Sequence, residues 1–227
     1  MLYNNIRKCK FISRPNRFIA NVDINGIIEV CHVKNTGRCK ELLTEGAEIF
    51  VQESDKSERK TKYDLISVVK DGKIVNIDSQ APNKVFFEWI EKSGYFGDIK
   101  LIKPESKYNE SRFDFYIETS ERKIFVEVKG VTLEENGIVK FPDAPTERGI
   151  KHLKGLCDCT SEGYEAFIFF VVQMENVKHF EPNRKTYNEF ANWLLYASKH
   201  GVEIRCVSCE VTPDSMCIDR FVEVRLD

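Results

Sequence analysis

Asp114, Glu127 and Lys129 are the residues of this chain whose types and spacing could do chemistry. They interrupt sequence that otherwise reads as a buried hairpin. Phe113-Asp114-Phe115-Tyr116-Ile117 and Lys123-Ile124-Phe125-Val126-Glu127-Val128-Lys129 are rich in aromatic and β-branched residues, and Thr119-Ser120-Glu121-Arg122 between them is polar enough to turn. Alternation along a strand puts Glu127 and Lys129 on one face and Val126 and Val128 on the other. A turn centred near Ser120 and Glu121 sets Asp114 opposite or diagonal to the Glu-Lys pair, so two carboxylates and an ammonium face one point. Two carboxylates suit a hard divalent cation, Mg²⁺ or Mn²⁺, to which the Val128 carbonyl could add a ligand. Lys129 would then hold an attacking water or the charge that develops on phosphorus. The plainer alternative is a cross-strand ion pair on a solvated sheet face, because Glu-x-Lys arises by chance in many charged chains.

The elements that must position these residues follow from turns and periodicity. Phe18–Ile24 and Ile27–Val33 flank Asn25-Gly26, a strong two-residue hairpin signal, and Tyr63–Val69 joins Lys73–Ile77 through Asp71-Gly72. With Ala47–Gln52 and a helical turn at Lys40–Leu43, the stretch from Lys10 to Ile77 reads as about five strands, which suits a small Greek-key barrel of OB type. Ser79–Asn83 is the expected boundary, which gives an all-β OB-like domain over 1–82 and a second domain over 83–227. A helix over Lys84–Lys92 carries Glu88, a further candidate metal ligand by analogy with related nuclease folds. Strands near Ile99–Lys103 and the charged hairpin follow. A helix from Thr146 to about Thr160, a strand over Glu165–Gln173, a helix over Asn183–His200 and strands at Val202–Val207 and Arg220–Leu226 complete the order. That α-β-β-β-α-β-α-β order is that of an α/β restriction-endonuclease-like core with a mixed sheet. Asp, about a dozen residues, then Glu-x-Lys also resembles the PD-(D/E)xK nuclease signature, with Phe113 in place of the usual proline.

Composition narrows the function classes. The chain has 227 residues, is 42% hydrophobic and carries a net charge of −2, enough for two ordinary domains with cores of their own. Its longest apolar run, Ala166–Val172, is far below the roughly 20 residues that span a bilayer, and no apolar core follows the basic amino terminus, so no membrane partner and a cytoplasmic location are expected. The eight cysteines are irregularly spaced. Cys157-Asp-Cys159 and Cys206-Val-Ser-Cys209 are the two clusters that could be half of a zinc site, and both fall in predicted regular elements, so structural thiols are expected. The net charge does not suggest a nucleic-acid partner, but residues 1 to 40 hold eight Lys or Arg against two acids, a net of +6. Arg14, Arg17, Arg38 and Lys40 are therefore candidate phosphate contacts. Phe141-Pro142-Asp143-Ala144-Pro145-Thr146 leads rigidly into a helix whose first turns hold Arg148 and Lys151, where a phosphate could also dock. Asp143 would there bind metal or orient Arg148, and a Pro-fixed, Thr-capped helix start explains the same residues without a ligand.

Ser111-Arg112-Phe113-Asp114-Phe115, Val126–Leu133, Phe141–Gly149 and Lys151-His152-Leu153, with Arg17–Ala20 and Asn35–Leu43 upstream, resemble successive blocks of the sugar fermentation stimulation protein A family, SfsA. The resemblance covers nearly the whole chain. It implies an OB-like amino-terminal domain that binds DNA and a PD-(D/E)xK-type second domain. Of the four histidines, only His152 falls in one of these blocks. The expectation is a DNA-binding protein with a Mg²⁺- or Mn²⁺-dependent phosphodiesterase site at Asp114, Glu127 and Lys129. The alternative is a DNA-binding regulator of sugar utilisation that keeps the nuclease fold without turnover. A glycosidase using a carboxylate pair has only the family's name in its favour, since Lys129 would have no role in it. The oligomeric state stays open, with a homodimer among the options.

Overall fold

A computed structural model of the chain describes residues 1–35, 37, 39–55 and 58–227. Six strands come first: β1 (Ile6–Asn16), β2 (Ile19–Ile24), β3 (Ile27–Val33), β4 (Glu48–Glu53), β5 (Tyr63–Lys70) and β6 (Lys73–Asn76). The two-residue turns behave as their residue types require. Asn25 and Gly26 sit at φ 55° and 84°, Asp71 and Gly72 at 50° and 75°, the left-handed pair that closes a tight hairpin with the twist of its strands. The order is β3-β2-β1-β4-β5-β6, and a parallel pairing of Cys31–Val33 with Tyr63–Leu65 closes the sheet into the OB barrel. Strand β1 is the member that the sequence does not single out. Its alternation is blurred because it is long and irregular, with register shifts after Phe11 and after Ser13.

Helix α1 (Ala81–Ser93) begins three residues before the expected Lys84, because Pro82 stands in its first turn, where a missing N–H costs nothing. It ends on Gly94 in the left-handed conformation. Then come β7 (Ile99–Tyr108), β8 (Ser111–Thr119), β9 (Lys123–Val131), β10 (Leu133–Glu135), β11 (Ile138–Phe141), α2 (Glu147–Ser161), β12 (Glu165–Val172), β13 (His179–Pro182), α3 (Arg184–Lys199), β14 (Val202–Val211), β15 (Met216–Phe221) and β16 (Glu223–Val224). The main sheet has the order β15-β14-β12-β9-β8-β7, parallel across β9-β12-β14 and antiparallel elsewhere, the mixed sheet of a restriction-endonuclease-like domain. A small sheet, β10-β11-β13-β16, was not expected. Its strands run only two to four residues, too short to show a period.

Both faces of the main sheet are covered, which is why β12 reads as a continuous apolar run. Beneath α1 lie Val126, Val128, Phe167, Phe169 and Val171. On the other face Phe125, Ile168 and Phe170 join one apolar cluster with Leu153 and Leu156 of α2 and Phe190 and Leu194 of α3, and that cluster extends into the barrel core. The domains are also joined by polar contacts. Gln173 Nε2 donates to the Asn76 carbonyl at 3.0 Å and the Asp78 carbonyl at 3.1 Å, and Asn76 N–H donates to the Gln173 carbonyl at 2.9 Å.

Candidate functional site

Glu127 reaches its position because β9 alternates as expected. Val126 and Val128 pack under α1, while Phe125 and Val131 belong to the cluster beneath α2, the side that Glu127 shares with Phe125. The ladder between β8 and β9 runs from Glu118 opposite Lys123 to Phe115 opposite Val126. One step on, a side chain takes over from the backbone: Asp114 Oδ2 accepts the Val128 N–H at 2.7 Å, and Asp114 Oδ1 accepts from Asn83 Nδ2 of α1 at 2.8 Å. Glu127 is 2% exposed. Its Oε1 accepts from Lys129 Nζ and from His152 Nδ1, while its Oε2 is buried with no hydrogen-bond partner among the described residues. An orphaned buried oxygen costs about 1–3 kcal/mol, more when charged, which makes this atom the open acceptor of the cluster.

The two acids differ electrostatically. Burial and the charge of Glu127 push the Asp114 carboxyl up to about 6, against the pull of the Val128 N–H and Lys129. Burial would raise Glu127 as well, but Lys129 and His152 outweigh it and hold that carboxyl below the usual range. A divalent cation between them would offset both the burial of the Asp114 charge and its repulsion by Glu127. Among the described residues no three His, Cys, Asp or Glu side chains form a metal cage. Carboxylate and carbonyl oxygens are donors of the kind a hard divalent cation takes, with water completing its shell.

The other candidates are placed as follows. Glu88 ion-pairs with the Met1 ammonium at 2.8 Å, and the α1 side chain that touches Asp114 is Asn83. Arg14 is committed to the barrel: its guanidinium donates to the carbonyls of Arg17 at 2.8 Å, Asn35 at 2.6 Å and Gly37 at 2.9 Å. Arg17 and Lys40 are exposed, and Arg38 lies outside the described residues. The positive charge of the first 40 residues is thus partly spent, since Arg7 pairs with Glu53, Lys8 with Glu48 and Lys34 with Asp64. Arg148 and Lys151 are exposed on α2, whose cap is as expected: Thr146 Oγ1 accepts the Gly149 N–H at 3.0 Å. Asp143 is exposed beside the barrel loop, where a Cβ on Gly37 would come within 2.7 Å of its Oδ2. A cavity of about 310 Å³ lies there between the domains, lined by Gly37, Gly130, Thr132, Lys140, Asp143 and Gln173 among others.

The cysteine pairs cannot chelate together. Cys157 and Cys159 are two apart on a helix and do not share a face, while Cys206 and Cys209 lie in clusters on opposite faces of the sheet. Sequence reasoning missed Asn83 and the contact of His152 with Glu127. The available signal for His152 was its helical spacing from Arg148 across two successive blocks, but only packing of α2 on β9 shows which strand residue it meets.

Comparison with known proteins agrees with this fold. Residues 12–77 match the profile of the SfsA N-terminal OB domain and residues 80–215 that of the sugar fermentation stimulation protein RE domain. A sugar fermentation stimulation protein homolog of Clostridium beijerinckii is 61% identical over 226 residues and covers 100% of both chains; one from Desulfitobacterium hafniense is 57% identical, with 100% of this chain and 99% of its own covered. The structure of Pyrococcus furiosus SfsA in complex with Ca²⁺ superposes with a TM-score of 0.90 at 33% identity, over 99% of this chain and 98% of that one. The chain belongs to the sugar fermentation stimulation protein (SfsA) family.

Proposed function

We propose that this protein binds DNA and carries a Mg²⁺- or Mn²⁺-dependent phosphodiesterase site at Asp114, Glu127 and Lys129, acting in the cytoplasm. The observation that carries the proposal is the buried, unpartnered Oε2 of Glu127 beside Lys129 and in the electrostatic reach of Asp114. The Ca²⁺ complex of the Pyrococcus furiosus relative supports a divalent ion. A bound cation would polarise a phosphate oxygen and ease deprotonation of water. Asp114, Glu127 and the Val128 carbonyl would hold it. Lys129, keeping one hydrogen on Glu127 Oε1, would turn the others toward the attacking water and the charge at phosphorus. Arg17, Arg38, Lys40, Arg148 and Lys151 would contact phosphates, which position DNA without reading its sequence.

One observation favours a second reading, a DNA-binding regulator without turnover. Both Asp114 oxygens already have protein donors, and Lys129 is satisfied by Glu127, so much of the site is held without a cation. Labelled single-stranded and duplex DNA incubated with protein in Mg²⁺ or Mn²⁺ separates the two. Cleavage that disappears in Asp114→Ala and Lys129→Ala while binding stays within about threefold, roughly 0.7 kcal/mol, supports the enzyme. Binding with no cleavage under any of these conditions leaves the regulator.

A further inference from the structure

We propose that His152 is a positioning residue for the candidate metal centre: with Lys129 it holds Oε1 of Glu127, and so presents Oε2 as the oxygen open to a divalent cation. This rests on the metal-site proposal above. A carboxylate only accepts, so the hydrogen of the His152–Glu127 contact lies on Nδ1 and the ring donates. At the other edge of the ring, Arg148 Nε donates to His152 Nε2 at 3.4 Å, from one turn earlier on α2. A guanidinium has no lone pair to offer, so its approach favours the ring form with Nε2 as acceptor and Nδ1 as donor. The Arg148 and His152 spacing along α2 thus aims one hydrogen at one oxygen of one strand residue.

Packing fixes the ring as firmly as the hydrogen bonds do. His152 is 5% exposed, and the ring of Phe113 stands edge-on to it, with centroids 6.1 Å apart. Helix α2 comes this close to β8 because Gly155 has no side chain: a Cβ there would lie 2.8 Å from Ser111 Oγ and 3.1 Å from Phe113 Cζ. The contact is one-sided. Lys129 and His152 both donate to Oε1, and no described residue donates to Oε2, although Glu127 is 2% exposed. A carboxylate gripped at one oxygen cannot turn over to exchange its oxygens, so the free one keeps a constant direction. That is what a small cation with strict octahedral demands requires of its ligand.

The test uses full-length protein and Mn²⁺ alone, titrated calorimetrically, with thermal unfolding in EDTA measured on the same samples. His152→Asn keeps a donor near the position of Nδ1, whereas His152→Gln carries it one carbon further out and His152→Leu removes it. Wild type and His152→Asn are expected to bind Mn²⁺ within about threefold of each other, and His152→Leu and His152→Gln to bind about 10–100-fold more weakly. Should the leucine variant not fold, the Asn and Gln pair decides. Mn²⁺ affinity equal in all folded variants, or lost equally in Asn and Gln in step with their melting temperatures, overturns the positioning role and leaves the metal site standing. Wild type that binds no Mn²⁺ overturns both.

Discussion

Asp114→Asn is expected to stabilise the metal-free protein above pH 6 and to abolish its stabilisation by divalent ions. In the fold, burial and Glu127 raise Asp114 from 3.8 to about 6. The native state then binds the proton more tightly than the unfolded chain. Asp114 therefore costs nothing well below pH 4, costs progressively more as pH rises from about 4 to 6, and costs its full amount above that. A rise of roughly two pKa units corresponds to about 3 kcal/mol. Asparagine mimics the neutral acid and keeps one oxygen for the Val128 N–H, but its amide faces the Asn83 amide, which must turn over; that rearrangement costs about 1 kcal/mol. The net expectation is a gain of about 1–2 kcal/mol at pH 8, or about 2–4 °C in Tm for each kcal/mol in a chain of this size, shrinking toward zero or a small loss at pH 4.5. Glu127 runs the other way, since its lowered pKa makes its contribution present above the usual carboxylate range and lost only at lower pH. The difference between variant and wild type from pH 4.5 to 8 thus reports Asp114, since the histidines titrate in both. The assay is thermal unfolding by circular dichroism in EDTA across that window, repeated in Mg²⁺. Wild type in Mg²⁺ at 100 times its Kd should gain about 2.7 kcal/mol, and the variant nothing. A variant that loses the same stability at every pH would show that the Asp114 carboxylate is not strained by its surroundings, and the reasoning would fail.

Gly130→Ala should destabilise by about 1–3 kcal/mol, because a Cβ there would meet Gln173 Oε1 at 2.5 Å and Pro82 Cγ at 2.7 Å, on the rail that joins the domains; an unchanged Tm would mean that this interface yields at little cost. Arg17→Ala with Lys40→Ala, and separately Arg148→Ala with Lys151→Ala, should each lower the slope of log affinity for DNA against log salt by about two, and a pair that leaves the slope alone lies outside the DNA interface. Arg14→Ala should instead lower Tm with little change in that slope, since its guanidinium serves backbone carbonyls.

The amino-acid sequence determined most of the elements and singled out the candidate site residues. Asn25-Gly26 and Asp71-Gly72 set two hairpins because few residue pairs tolerate two positive φ values in succession. Alternation in β9 put Glu127 and Lys129 on one face, and the turn near Ser120 and Glu121 brought Asp114 within one step of the last β8–β9 pair. These are local rules, with a reach of one turn or one strand spacing. The tertiary structure alone decided what each charged group does. Glu88 went to the Met1 ammonium, Arg14 to three carbonyls, Asn83 to Asp114 and His152 to Glu127, and the small sheet formed from strands too short to carry a period. The partners in these four contacts are 87, 23, 31 and 25 residues apart, in the order Glu88 to Met1, Arg14 to Gly37, Asn83 to Asp114 and His152 to Glu127. No sequence period spans such separations, because contact between distant residues is set by which surfaces pack, and hydrophobic burial chooses those surfaces without regard to the charges at their edges.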